Sequence, residues 1–160
     1  MRRGLALLAA VVVIGGGVFG GLTILSGEPN EIRTSLDPGA ITVAAGETTT
    51  VELTIENVDL NTVKVNGIGV DKSLLDGVSV DQMDPGYSDV NTRSYPLYGN
   101  WTEYTLDRSI FGGEKLTVVI TFRGDTVGKY SGDVSVWIES SVAGLKVSRA
   151  RRVNLNVTVQ

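Results

Sequence analysis

From residue 41 onward the chain alternates. Ile41 and Val43 flank a polar residue, and after a Gly46-Glu47 turn Val51, Leu53 and Ile55 alternate with Glu52, Thr54 and Glu56. The same period of two runs through Leu116, Val118, Ile120 and Phe122, then Val134, Val136 and Ile138, then Val153, Leu155, Val157 and Val159. Successive side chains of a strand point to opposite faces, so each run predicts a strand with one buried and one wet face. Around Gly67 the pattern of Val63, Val65, Ile68 and Val70 slips by one residue, which predicts a bulge. Turn chemistry falls between the runs, at Asp37-Pro38-Gly39, Asp84-Pro85-Gly86, Gly112-Gly113 and Gly144. No stretch carries a convincing amphipathic helix. A single sheet cannot cover its own apolar face, so the expectation is an all-β, two-sheet sandwich of about seven strands over residues 36–160.

Residues 82–110 alternate poorly. They hold Pro85, Pro96, Trp101 and the tyrosines 87, 95, 98 and 104, and read as a long connection carrying one or two short strands. Trp137 lies between inward positions and is expected on the opposite face of its sheet.

The N-terminal pattern is of another kind. Residues 4–25 carry no charge and are almost all apolar or glycine. As a helix they would span about 33 Å, enough for a hydrocarbon core of about 30 Å. Arg2 and Arg3 precede the run and Glu28, Glu31 and Asp37 follow it. The positive-inside rule then leaves residues 1–3 as a cytoplasmic cap and puts the sandwich outside a plasma membrane crossed once. A cleavable signal has a shorter apolar run and a small-x-small site; cuts near Ser26 or Gly27 would put Ile24 or Leu25 where a small residue belongs. An uncleaved signal-anchor is therefore expected, with residues 26–35 as a polar tether. Gly16 with Gly20 and Gly17 with Gly21 have the spacing that lets membrane helices pack closely, and glycine-rich anchors also produce it by chance.

Composition removes chemistry. The chain has no cysteine and no histidine, which excludes disulfides, thiolate metal sites, the usual general base and the commonest metal ligand. A net charge of −4 argues against nucleic acid as a partner. Arg149, Arg151 and Arg152 form a small basic run, read as a solvated strand face.

Two features carry a family resemblance. Asp125-Thr126-Val127-Gly128-Lys129-Tyr130-Ser131-Gly132 resembles the tyrosine corner of immunoglobulin-like domains, in which a tyrosine opens strand F and bonds back across the corner. Gly132 stands where an antibody domain has its second cysteine. A Gly-Glu pair leads into an alternating strand twice, at Gly46-Glu47 and Gly113-Glu114. Together with the strand over 153–159, these features look like the immunoglobulin-like modules of bacterial and archaeal surface proteins, and imply a stalk, spacer, adhesive domain or assembly subunit. Separately, Met1-Arg2-Arg3-Gly4 before Leu5 and a long apolar run resembles the prepilin leader of pilins and archaeal flagellins, without the early glutamate of bacterial pilins.

No catalytic residue is expected. Nucleophilic catalysis without histidine would need a lysine or carboxylate base, and no Ser-x-x-Lys signature is present. No cofactor is expected. Calcium is the metal to consider, with Asp81, Asp84 and Asp89 as candidates around a Pro-Gly turn, although aspartate in turns is what local hydrogen bonding already favours. Asn100-Trp101-Thr102 and Asn156-Val157-Thr158 match the N-glycosylation acceptor pattern, and Asn156 should point outward between inward Leu155 and Val157. Tyr98, Trp101 and Tyr104 are candidate recognition aromatics; the other reading is that they plug the sandwich edge. The functional expectation is a membrane-anchored, extracytoplasmic domain with a structural or protein-binding role, its partner another surface or membrane protein, with oligomerisation left open. A pilin-like or archaeal-flagellin-like filament subunit and a carbohydrate or surface adhesin are the alternatives.

Overall fold

A computed structural model describes residues 28–95, 99–142 and 145–160. The strands are β1 (Ile32–Asp37), β2 (Ala40–Val43), β3 (Thr48–Asn57), β4 (Val63–Asp71), β5 (Val78–Asp84), β6 (Asp89–Tyr95), β7 (Gly99–Ile110), β8 (Lys115–Gly124), β9 (Gly128–Val142) and β10 (Leu145–Val159). One helical turn, α1 (Lys72–Leu75), follows β4 and is capped by the Asp71 carboxylate, which accepts from the Ser73 amide. The residues expected to span the membrane, Gly16, Gly17, Gly20 and Gly21 among them, lie outside the described residues. Among the described residues no helix is long and apolar enough to cross a membrane.

The strands form a four-stranded sheet, β1-β3-β8-β5, and a six-stranded sheet, β2-β10-β9-β4-β7-β6. The alternating runs face each other across the gap. Val51, Leu53, Ile55, Val118, Ile120 and Phe122 of the small sheet meet Val65, Ile68, Val70, Val134, Val136, Ile138 and Leu155 of the large one, all with no accessible surface. Each such side chain contributes about 1.5–3 kcal/mol relative to exposure. At Gly67 the register of β4 shifts against both neighbours, at the place where the pattern slipped. A Cβ there would clash with the Tyr104 backbone, so the close approach of β7 requires glycine.

Three expectations change. Residues 26–35 are not all tether: Ile32 is fully buried, and Ile32–Asp37 pairs antiparallel with β3. The run is hard to see because only Ile32, Thr34 and Leu36 point inward and one of them is a threonine. Residues 82–110 are not a loose connection but largely the β6–β7 hairpin, with β7 twelve residues long. The strand count is ten among the described residues rather than about seven: six follow the alternating runs, and β1, β5 and the two strands of this hairpin make up the rest.

Registers define two ends. Ile32, Asn57, Ile110 and Glu139 mark an upper end; Val43, Arg123, Tyr130 and Gln160 mark a lower one. Asn57 organises the upper end although fully buried. Its side-chain amide donates to the carbonyls of Asn61 (2.7 Å) and Ile110 (2.9 Å), and its Oδ1 accepts from the Asp59 amide (2.9 Å). Its own backbone exchanges bonds with Glu114 and Gly113, so every polar group is satisfied and the β3–β4 and β7–β8 loops are tied together.

The basic run is divided by the strand period. Arg149 and Arg151 face the gap between the sheets and grip the incoming chain. Arg149 Nη2 donates to the Glu28 carbonyl (2.8 Å), Arg149 Nη1 lies 3.4 Å from the Glu31 carboxylate, and Arg151 Nη1 donates to the Pro29 carbonyl (3.0 Å). Arg152 alone points to the outer face. The expectation of one solvated strand face fails because adjacent residues of a strand belong to different surfaces.

A candidate interaction face on the large sheet

β4 places Gly67 and Gly69 on the outward face of the large sheet, opposite the inward Ile68 and Val70. Register then sets Thr105, Glu103 and Trp101 of β7 on one side, and Trp137 and Ser135 of β9 on the other. The two glycines leave a lane without side chains, and the indoles lean into it. A Cβ at Gly69 would clash with Ser135 Oγ and lie 2.9 Å from Trp137 Nε1 and 3.5 Å from Trp101 Cε3. Ser135 sits buried beneath them, its hydroxyl 3.4 Å from the Gly69 carbonyl.

Cations frame this plate. The Arg152 guanidinium reaches from β10 across β9 and β4 to sit 5.7 Å from the centre of the Trp101 ring. That reach is open only because Ser135 and Gly69 are small. On the other side Arg93 of the edge strand β6 pairs with Glu103 at 2.7 Å, its side chain about a third exposed. The result is a band across five strands: Arg93, Glu103, Trp101, Gly69, Ser135, Trp137, Arg152. Indoles bury large areas, and tryptophan and arginine are enriched among the residues that dominate protein contacts.

The expected site residues are distributed as follows. Trp101 and Tyr104 lie on opposite faces of β7, so the proposed aromatic cluster does not form. Trp101 is only 3% exposed, and Tyr104 is buried in the core edge-on to Tyr87, their rings 5.0 Å apart. Burial, and then the neighbouring Tyr87 hydroxyl, push the Tyr104 hydroxyl up to about 12, so it stays neutral. Tyr98 lies outside the described residues. Asp81 and Asp84 belong to β5 and Asp89 to β6, edge strands of different sheets, and Asp89 is taken up by the Val90 amide and the Asn91 side chain. Among the described residues no three such groups converge to hold a metal ion. Asn156 is exposed between buried Leu155 and Val157, and Asn100 is exposed at the start of β7. Trp137 does lie outward. Arg93, Glu103 and Ser135 carry no signal of their own in the sequence, and Arg152 stands out only as part of the basic run; strand parity alone hints that the four share a face.

The tyrosine-corner segment takes a related form. Tyr130 enters β9 with its ring against Gly77, where any Cβ would overlap the ring, and the Gly77 carbonyl accepts from the Asp125 and Thr126 amides. Gly132 is buried, and a Cβ there would meet Ser73 Oγ at 2.5 Å and Leu74 Cγ at 3.0 Å. Leu74 of α1 thus fills the space above it.

These features define an immunoglobulin-like β-sandwich module. The small sheet follows the A-B-E-D order and β10-β9-β4 the G-F-C order, with β7 and β6 placed like the two extra strands of variable-type domains. Chain order differs, because the strand in the D position, β5, precedes that hairpin. No protein-family model and no curated protein matches the chain. Among solved structures it is similar to AvmM, which catalyses macrocyclization in alchivemycin A biosynthesis (TM-score 0.51, 11% identity, 81% of this chain and 90% of that one). It is also similar to PapD-like domain 7 of human CEP192 (TM-score 0.41, 15% identity, 91% and 98%). A third is the cohesin module of a Clostridium perfringens family 33 glycoside hydrolase (TM-score 0.41, 8% identity, 81% and 97%). At these identities the likeness concerns fold alone.

Proposed function

We propose that the chain is a single-pass membrane protein whose immunoglobulin-like module stands outside the plasma membrane. It acts there as a structural or protein-binding domain with no chemistry of its own. The uncharged run over residues 4–25, with arginines before it and acidic residues after it, supports the anchoring. The observation that carries the binding role is the outer plate of the large sheet, where two indoles and two guanidiniums share one face. The partner is another surface or membrane protein, met along that plate. Near-complete burial of Trp101 leaves no open aromatic face there for a sugar ring, so the partner meets the half-buried Trp137 and the exposed Arg152 beside it.

The test is site-specific photocrosslinking in intact cells of the source. A crosslinker at Trp137 gives a defined protein adduct that one at exposed Val127 does not, and Arg152→Glu abolishes it. Equal labelling from both positions sinks the binding role. Mass spectrometry of the mature N-terminus tests the anchor: a chain beginning at Leu5 replaces it with the filament-subunit alternative.

A further inference from the structure

Three large apolar side chains stand exposed together at the upper end. Leu60 is 96% exposed, Phe111 61% and Val58 40%. The other exposed ones are scattered, Tyr87 and Val90 beside the edge strand and Val127 at the lower end. The upper trio is held out by a fixed backbone. The Leu60 amide donates to Asp59 Oδ1 (2.6 Å), the Asp59 amide to buried Asn57, and Gly112 packs so tightly that a Cβ would lie 2.7 Å from the Leu60 carbonyl oxygen. Apolar groups fixed in water in this way mark a contact surface.

The incoming chain arrives at this same end. The Glu31 carbonyl accepts from the Val58 amide at 2.9 Å, two residues before Leu60, and Arg149 and Arg151 pin Glu28, Pro29 and Glu31. Only Ser26 and Gly27 separate Glu28 from the uncharged run. Three Cα steps reach at most about 11 Å, and a headgroup layer is about 5–8 Å deep. A lipid-embedded run ending at Leu25 therefore leaves the upper end no room to stand clear of the bilayer.

From this juxtaposition we propose that the upper end rests in the lipid interface, with Leu60 and Phe111 inserted at headgroup depth and Val58 at the rim. The proposal rests on the anchored reading above. The lysines near this end, Lys64, Lys115 and Lys146, are paired with Asp107, Glu56 and Glu139, so the contact is apolar and does not depend on anionic lipid. The tether is a clamp, and it fixes which way the module faces.

Because the chain has no cysteine, single probes can be placed in the full-length protein. Leu60→Cys, Val127→Cys and Ala10→Cys are each labelled with a polarity-sensitive fluorophore and reconstituted in phosphatidylcholine vesicles containing doxyl-labelled phosphatidylcholine. The expected result is quenching of the Leu60 probe about threefold stronger than that of the Val127 probe, reduced by Phe111→Ser. If the Ala10 probe is quenched and the Leu60 probe matches Val127, the interface contact is wrong while the anchor stands. A blue-shifted but unquenched Leu60 probe means that protein covers this end, which overturns the lipid assignment. Loss of quenching at both Ala10 and Leu60 removes the anchored reading and this proposal with it.

Discussion

The two sheets turn very different faces to the outside. On the small sheet the outward positions are Glu52, Thr54 and Glu56 of β3 and Thr117, Val119, Thr121 and Arg123 of β8, beside Arg33 and Ser35 of β1. All but Val119 are polar or charged, and none lies fully buried. On the large sheet the same parity selects Trp101, Trp137, Gly67, Gly69 and Ser135, and all of these except the half-buried Trp137 are buried. Period two prescribes which residues face outward but not what an outward face does. A face that buries tryptophan over glycine has been built into a second packed layer, whereas the small sheet's face is simply wet.

Substitutions should separate the faces in decreasing order of effect. Trp101→Ala removes a nearly buried indole and should cost about 3 kcal/mol in urea unfolding; Thr54→Ala on the small sheet should stay within about 0.5 kcal/mol. Gly69→Val drives a branched side chain into Ser135 and Trp137 and should cost about 2 kcal/mol. Equal costs for Trp101→Ala and Thr54→Ala would show that the plate is not packed.

A pH series probes the core beneath the plate. The Tyr104 hydroxyl ionises near its ordinary value of 10.0 in the unfolded chain but at about 12 in the fold. Between those values the unfolded state has released a proton that the native state keeps, so stability falls as pH rises from 10 to 12. Tyr104→Phe should flatten that part of the curve; an unchanged slope would place the titration elsewhere. The smallest effect on the plate is that of Arg152→Ala, which should cost about 0.5–1 kcal/mol through its ring contact. Arg123→Ala, on the small sheet and exposed, should cost less.

How far the fold could be read from the chain depended on which strands are wet on one face only. Strands β2, β3, β8, β9 and β10 announced themselves because their inward residues are Val, Ile, Leu or Phe without exception over the alternating stretch. The strand β6 did not, because it is a sheet edge whose described positions are all exposed or half-exposed, leaving nothing to alternate. Its partner β7 was hidden by an outward tryptophan and by Arg108, a charged, exposed residue that stands at the inward position between buried Leu106 and Ile110. The interaction face was less legible still. Arg93, Glu103, Trp101, Trp137 and Arg152 lie on four strands, and only register brings them together. Even the Arg149–Arg152 run, contiguous in the chain, serves two unrelated surfaces.

Both tryptophans of the chain belong to the outer plate and neither to the core. Intrinsic indole emission is therefore a native optical gauge of that one face, free of any signal from the interior. A ligand settling there would change its colour or intensity without unfolding anything, and melting of the interior alone would first be visible in the tyrosines.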